Sequence, residues 1–188
     1  MKKMKILAFG GSFRKGSFSK IVLKETKYLL PSDVDIKIFD IKGISFFNQD
    51  LEQNLPENVV KFKLEIKNAD AILIVTPEYN YSIPGFLKNA IDWASRPISD
   101  NSFNEKPVAI ISSSTGMFGG SRAQYHLRQS FVFLNSYVLN KPEVMIPFVD
   151  QKIYNNRLKD EKTKEKIKEI LKALSRFALE IKKMKNKA

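Results

Sequence analysis

Hydrophobic residues along this chain gather in short runs, and most runs are followed by a stretch whose apolar positions recur at helical spacing. The most uniform run, Ala71-Ile-Leu-Ile-Val75, stops at Thr76-Pro77. It is too short for a membrane span and lacks the alternation of a half-wet strand, so it predicts a buried central strand. Pro77 ends it, because proline has no N–H for the next ladder bond. Lys5–Phe9 predicts a first strand and Val108–Ile111 a second buried one. Val34–Phe39 alternates and predicts a strand at a sheet edge. Tyr137–Leu139 and Val144–Ile146 predict a last strand broken by Lys141-Pro142.

Helical spacing links Ile21, Val22, Tyr28, Leu29 and Leu30, with Pro31 as the stop. Glu57–Asn68 predicts a helix with Val60, Phe62 and Leu64 turned inward. Phe86, Leu87, Ala90 and Ile91 mark a third helix, and Ala123, Leu127, Phe131 and Leu134 a fourth. Leu158 opens a final helical region, where Ile167, Ile170, Leu171, Leu174, Phe177, Ile181 and Met184 form one stripe of core packing. Residues 40–56 predict a long irregular connection anchored by Phe46-Phe47. Strands and helices thus alternate, which with right-handed crossovers predicts an α/β fold, a parallel sheet covered by helices on both faces.

Composition narrows the chemistry. A chain of 188 residues is most simply one domain across 1–188, large enough to bury an unaided core. Zero cysteines exclude disulfides, thiol nucleophiles and cysteine-held metals, and a single histidine excludes His-rich zinc sites. The start, Met1-Lys-Lys-Met-Lys5, precedes an apolar stretch far too short for a signal peptide, so a cytoplasmic location is expected. The formal charge of +12 invites a nucleic-acid reading. Residues 151–188, however, carry 13 Lys/Arg against 5 Asp/Glu, a surplus of 8 that a solvated helix face explains. No nucleic-acid motif accompanies it, and neither a nucleic acid nor a membrane is expected as partner.

Three loops carry the candidate chemistry, each where a strand gives way to a helix. The first is Gly11-Ser12-Phe13-Arg14-Lys15-Gly16-Ser17-Phe18-Ser19. Its hydroxyls, cations and glycines precede a helix N-terminus, whose free N–H groups welcome an anion. Arg14 can fork onto a phosphate. GxGxxG and GK[ST] patterns are absent, which favours a terminal phosphate monoester over a nucleotide chain needing magnesium. Ordinary N-capping by Ser17 or Ser19, with Arg14 in solvent, is the plainer alternative. The second loop, Pro77-Glu78-Tyr79-Asn80-Tyr81-Ser82, offers a flat amphipathic ring and backbone donors. Glu78 lacks a carboxylate partner at metal-binding spacing and reads as a loop-structuring residue or a ring contact. The third, Ser112-Ser-Ser-Thr-Gly116 with Gly119-Gly120, is small and hydroxyl-rich, a wall that something planar can approach. A hydrolytic serine among Ser112, Ser113 and Ser114 is the rival idea. No G-x-S-x-G elbow supports it, and His126 lies inside the following helix, where a surface or interface role is expected.

The stretches GSFRKGSFS (11–19), TPEYNYSIPGFLKNAIDW (76–93) and SSSTGMFGGSRAQYHLRQ (112–129) resemble the NADPH-dependent FMN reductase family, in particular its bacterial chromate and quinone reductase branch. The resemblance runs over residues 5–147 and implies a flavodoxin-like three-layer α/β/α sandwich with a five-stranded parallel sheet of order 2-1-3-4-5. It implies FMN as cofactor, with Ser12, Arg14, Ser17 and Ser19 on the phosphate. Pro77, Glu78, Tyr79, Asn80 and Tyr81 would border the ring and ribityl groups, and Ser114 would reach the flavin from the third loop. Lys15, Gly16, Phe18 and Gly116 complete the expected cofactor-binding set, with no catalytic side chain and no metal. Close relatives often carry Asn where this chain has Ser19.

The resemblance further implies NADPH or NADH as electron donor and quinones, azo or nitro compounds, free flavin or chromate as acceptors. The flavin carries such chemistry, so the lack of a catalytic His, Cys or carboxylate pair is no objection. A flavodoxin-type electron carrier with a protein partner is the alternative, although flavodoxins resembling this fold are typically acidic. A homo-oligomer is expected, homodimer or homotetramer. Apolar bulk on one helix (Phe86, Leu87, Ile91, Trp93) and Tyr125, His126 and Arg128 on another suggest its face. The family pattern implies a network of Tyr81, Arg122 and Glu143 between subunits.

Overall fold

The computed structural model describes residues 3–187. Its strands and helices alternate as β1 (Met4–Gly10), α1 (Phe18–Glu25), β2 (Val34–Ile38), α2 (Glu57–Asn68), β3 (Ala71–Pro77), α3 (Gly85–Ala94), β4 (Pro107–Ser113) and α4 (Ser121–Phe133). The short strands β5 (Tyr137–Val138), β6 (Val144–Ile146), β7 (Ile153–Tyr154) and β8 (Arg157–Leu158) follow, then the long helix α5 (Glu161–Lys185). Strand order is β2-β1-β3-β4-β5, all parallel, the doubly wound order expected. The fifth position departs from a simple five-stranded sheet: β5 pairs with the start of β4 and β6 with its end. Asn140 to Glu143, with Pro142 lacking an N–H, interrupts what would be one strand.

Side chains on a strand alternate between faces, and this divides the core in two. Ile6 and Ala8, Ala71, Leu73 and Val75, and Ala109 and Ile111 point to one face, under α1 and α5. Leu7 and Phe9, Ile72 and Ile74, and Val108 and Ile110 point to the other, under α2, α3 and α4. Burial on both faces explains why these strands read as unbroken apolar runs. From α5, Ile167, Ile170, Leu171 and Leu174 enter the first core as expected, whereas Met184 lies exposed beyond it.

Four further expectations need correction. Helix α1 stops at Glu25, and a single 3-10 turn, Thr26–Tyr28, follows. The Thr26 hydroxyl donates to Leu23 O at 2.6 Å, giving the backbone an alternative to a further helical turn, and Tyr28 is left 71% exposed. On α2, Val60 and Leu64 face solvent, Leu64 52% exposed, while Val59, Phe62, Lys63 and Ile66 face inward. Lys63 fits there because its ammonium donates to Arg96 O and to Asp100 O at 2.8 Å. Of the Phe46-Phe47 pair only Phe47 is an anchor, edge-on to Trp93 at 5.0 Å, and Phe46 is 88% exposed. Leu158 belongs to the β7–β8 hairpin, whose turn places Asn155 and Asn156 at positive φ. The final helix begins at Glu161, capped by Asp160, whose carboxylate accepts from Thr163 N at 2.9 Å.

Candidate flavin site

Every long strand of the sheet points its carboxyl end at the same edge, and the three candidate loops meet there. The first leaves β1 through Gly11, whose N–H donates to Val75 O at 3.1 Å. A Cβ on Gly11 would lie 2.8 Å from Thr76 Oγ1 and 3.0 Å from Leu87 Cδ2, so only glycine lets this loop cross the end of β3. Ser17 caps α1, its Oγ accepting from Lys20 N at 3.3 Å and lying 2.9 Å from Ser19 Oγ. Ser12, Ser17 and Ser19 are all buried. Arg14 is exposed, with its guanidinium 5.2 Å from the centre of the Phe18 ring. Phe13 stacks on Phe86 at 4.0 Å, which ties the loop to α3.

Loop two turns back on itself. Tyr79 N donates to Ser82 O and Ser82 N to Tyr79 O, both at 2.9 Å, with Asn80 at φ 50° and Tyr81 at φ 63° between them. Both central residues at positive φ make a tight hairpin turn in which asparagine is at home and tyrosine is strained. Such strain persists only where neighbours over-determine it. Here Arg122 sits 3.9 Å from the Tyr81 ring and 4.8 Å from the Phe118 ring. Glu78 reaches across to α4: its carboxylate accepts from Arg122 N at 3.0 Å, Ala123 N at 3.3 Å and Arg122 Nη1 at 3.3 Å. The N-cap position of α4 is Gly120, which has no side chain to do this. A residue with a Cβ would not fit there, since φ is 83° and the Cβ would lie 2.9 Å from Ser112 Cβ. Glu78 therefore caps a helix that cannot cap itself, and loop two is fixed to α4 as a consequence.

The third loop is held by its own hydroxyls. Ser112 Oγ donates to Gly119 O at 2.7 Å, and the buried Gln124 donates to Ser112 Oγ at 3.1 Å and to Val144 O at 2.7 Å. Gly119, at φ 59°, packs on the backbone of Met145 and Ile146, 2.9 Å from where its Cβ would be. Ser114 Oγ accepts from Gly116 N at 3.1 Å.

Between the loops lies a cavity of about 160 Å³. Of the expected residues, Ser12, Arg14, Ser17, Phe18 and Ser19 line it from the first loop, Pro77, Glu78 and Tyr79 from the second, and Ser114 from the third. Lys15, Gly16, Asn80, Tyr81 and Gly116 lie outside this lining, Lys15 and Gly16 on the exposed outer turn of the first loop. Ser113, Thr115 and Val149 line it as well. Ser113 and Thr115 stood within the hydroxyl-rich run, but Val149 follows β6 and arrives only through the fold, its N–H donating to Ser114 O at 3.1 Å. The residues present fit a phosphate-bearing ligand. The Ser113 hydroxyl is buried with no partner among the described residues, the buried hydroxyls of Ser12, Ser17 and Ser19 come from the first loop and the start of α1, and Arg14 supplies the cation. Glu78 does not oppose an anion as a free carboxylate would, since α4 and Arg122 already take up its charge.

His126 is exposed on α4, with Nδ1 2.9 Å from Ser82 Oγ, outside the cavity. Within the chain, Glu143 lies near Arg128 and Lys141 (3.9 and 3.4 Å), whereas Arg122 belongs to Glu78 and Tyr81. The bulk expected to be spare on α3 is used internally: Leu87, Ile91 and Trp93 are buried, and Trp93 Nε1 donates to Ser45 O at 2.8 Å.

The profile of the NADPH-dependent FMN reductase family matches residues 4–151. Over 173 residues, 91% of this chain and 93% of the relative, the sequence is 47% identical to the NAD(P)H-dependent FMN reductase of Pseudomonas aeruginosa. It is 43% identical over 154 residues to a quinone reductase of Escherichia coli, covering 80% and 81% of the two chains. Among solved structures, FerB, a flavoenzyme NAD(P)H:(acceptor) oxidoreductase of Paracoccus denitrificans, aligns with a TM-score of 0.87 at 31% identity, over 94% of this chain and 98% of its own. By sequence and by fold alike, this chain belongs to the NADPH-dependent FMN reductase family of oxidoreductases.

Proposed function

We propose that this chain uses FMN to pass electrons from NADPH or NADH to small acceptors, quinones foremost, with azo and nitro compounds, free flavin and chromate as further candidates. The observation that carries the reading is the single cavity shared by the three loops, lined by the buried Ser12, Ser17, Ser19 and Ser113 and by Tyr79. FMN, when bound, supplies the acceptance of hydride from a nicotinamide and its delivery to an acceptor. The protein's own part is to bind and orient. Ser12, Ser17 and Ser19, with the first N–H groups of α1, hold the phosphate, and Arg14 balances its charge. Pro77, Glu78 and Tyr79 flank the ring, with Ser113 and Ser114 donating from the third loop. Lys15, Gly16, Asn80, Tyr81 and Gly116 shape the rim.

The reading extends to a cytoplasmic homo-oligomer built from one flavodoxin-like domain. No described helix is long and apolar enough to cross a membrane. Support for an oligomer comes from α4, where Val132 and Phe133 are 78% and 82% exposed and Phe133 lines a groove of about 440 Å³ with Phe47, Ile91 and Leu134. Pairing of that face in a dimer would cover them, with Tyr81, Arg122 and Glu143 available to a second contact in a tetramer.

Steady-state kinetics of FMN-loaded protein with NADPH and benzoquinone tests the proposal. A donor that leaves before the acceptor enters gives parallel double-reciprocal lines, the ping-pong pattern. No quinone-dependent oxidation of either NADPH or NADH, or turnover only with an added electron-carrier protein, would contradict it.

A further inference from the structure

At the opposite end of the sheet, where β1, β3 and β4 begin, lies a second cavity of about 390 Å³. Strands of this length place it roughly 20 Å from the flavin loops. Its volume falls in the range of small-molecule sites, about 300–1,000 Å³. Six lysines line it: Lys3 and Lys5 from β1 and the residue before it, Lys67 from the end of α2, Lys106 before β4, and Lys182 and Lys185 from α5. Against them stand Asp70 and Glu105 in the lining, and Asp100, which pairs with Lys67 from outside. Six ammonium groups and three carboxylates leave a surplus of three positive charges around one concavity.

The pairing is uneven. Lys185 Nζ is 2.8 Å from Glu105 Oε2, but Lys182 Nζ is 3.7 Å from Asp70 Oδ1, a loose contact. Among the described residues Lys106 donates to neutral oxygens, Lys67 O at 2.8 Å and Ala69 O at 2.7 Å, and feels the Asp70 carboxylate without a direct bond. Burial, and then the nearby Lys185 ammonium, hold the Lys106 pKa below its ordinary value. Like charges thus repel within a pocket whose walls focus their field. An anion there would relieve that repulsion, and Asn68 and Asn104 are neutral polar residues of the same lining.

We infer that this cavity binds a small polyanion with three or more negative charges, an oligophosphate or a tricarboxylate, separately from the flavin. Clustered lysines suit such ligands, being mobile point charges without the planar preference of arginine. The site would absorb part of the lysine excess of the C-terminal helix, which the flavin chemistry leaves unused.

The test is calorimetric titration of the FMN-saturated protein with tripolyphosphate and, separately, citrate, at constant ionic strength, with flavin release followed by absorbance. Saturable binding of at least one of them, one per chain and without loss of FMN, is expected, and the tighter ligand identifies the class. Lys5→Gln/Lys182→Gln should weaken it at least tenfold, while Lys162→Gln/Lys166→Gln, removing equal charge from the exposed face of α5, should leave it unchanged. Absence of saturable binding, displacement of FMN by the anion, or equal weakening in both double variants would overturn the inference.

Discussion

Glu78 joins the second flavin loop to α4, and removing it should separate the role of its charge from the role of its hydrogen bonds. Glu78→Gln keeps a carbonyl oxygen for Arg122 N and Ala123 N but loses the negative charge at the helix N-terminus and opposite the Arg122 guanidinium. A bond to a charged group contributes about 1.5–3 kcal/mol and a neutral one about 0.5–1.5, so the loss should be about 1 kcal/mol. The Arg122 contact adds little to this, because its guanidinium is partly in solvent. Glu78→Ala removes the cap altogether. Loss of an N-cap costs about 0.5–2 kcal/mol, and backbone donors left unpaired cost about 1–3 more, for a total of about 1.5–5 kcal/mol. Gly120 cannot be replaced by a conventional cap, given its φ of 83° and its contact with Ser112, so Gly120→Ser should not rescue Glu78→Ala. Urea unfolding of the FMN-free proteins measures all four species. A Glu78→Ala loss under about 0.5 kcal/mol, or rescue by Gly120→Ser, would refute the capping argument.

Arg14→Ala should weaken FMN by roughly tenfold, the low end for a charge-assisted bond because Arg14 is exposed, and should leave riboflavin binding unchanged; equal losses in a titration of both flavins would place Arg14 away from the phosphate. Gly119→Ala forces a Cβ against the Met145–Ile146 backbone at an unfavourable φ, with an expected loss of about 2–4 kcal/mol in urea unfolding and a weaker FMN complex as the third loop shifts. Asp160→Ala should cost about 0.5–2 kcal/mol by uncapping α5. The Thr163 hydroxyl bond holds the Asp160 pKa below its ordinary value, so this stabilisation is present above about pH 4 and lost as pH falls through the lowered folded value. The difference between wild type and Asp160→Ala should shrink on acidification.

Apolar runs such as Ala71–Val75 and Val108–Ile111 revealed the parallel sheet because burial on both faces leaves no polar position to confuse the pattern. Helix α2 shows the limit of that logic. Its bounds, Glu57–Asn68, match the expectation, yet its buried face departs from the apolar pattern because Lys63 occupies an inward position by bonding to carbonyls more than thirty residues away. Hairpin turns of Asn155-Asn156 type carry a local signal that a long helical stripe nearby can mask. In the site, the residues next to strand ends were legible, since β1, β3 and β4 deliver them to one edge. Glu78 as the cap of α4 was not, because its partners lie 44 and 45 residues on and the need for it arises from the backbone of Gly120. Val149 and the free Ser113 hydroxyl depend likewise on β6 settling beside β4.

In the proposed function, FMN held by the three loops takes electrons from a nicotinamide and passes them to a small acceptor. An anaerobic titration of FMN-saturated protein measures this without turnover. One NADPH or NADH per chain should bleach the flavin absorbance, and one benzoquinone should then restore it. Bound FMN that neither nucleotide can reduce, or reduced flavin that persists with excess benzoquinone, would contradict it.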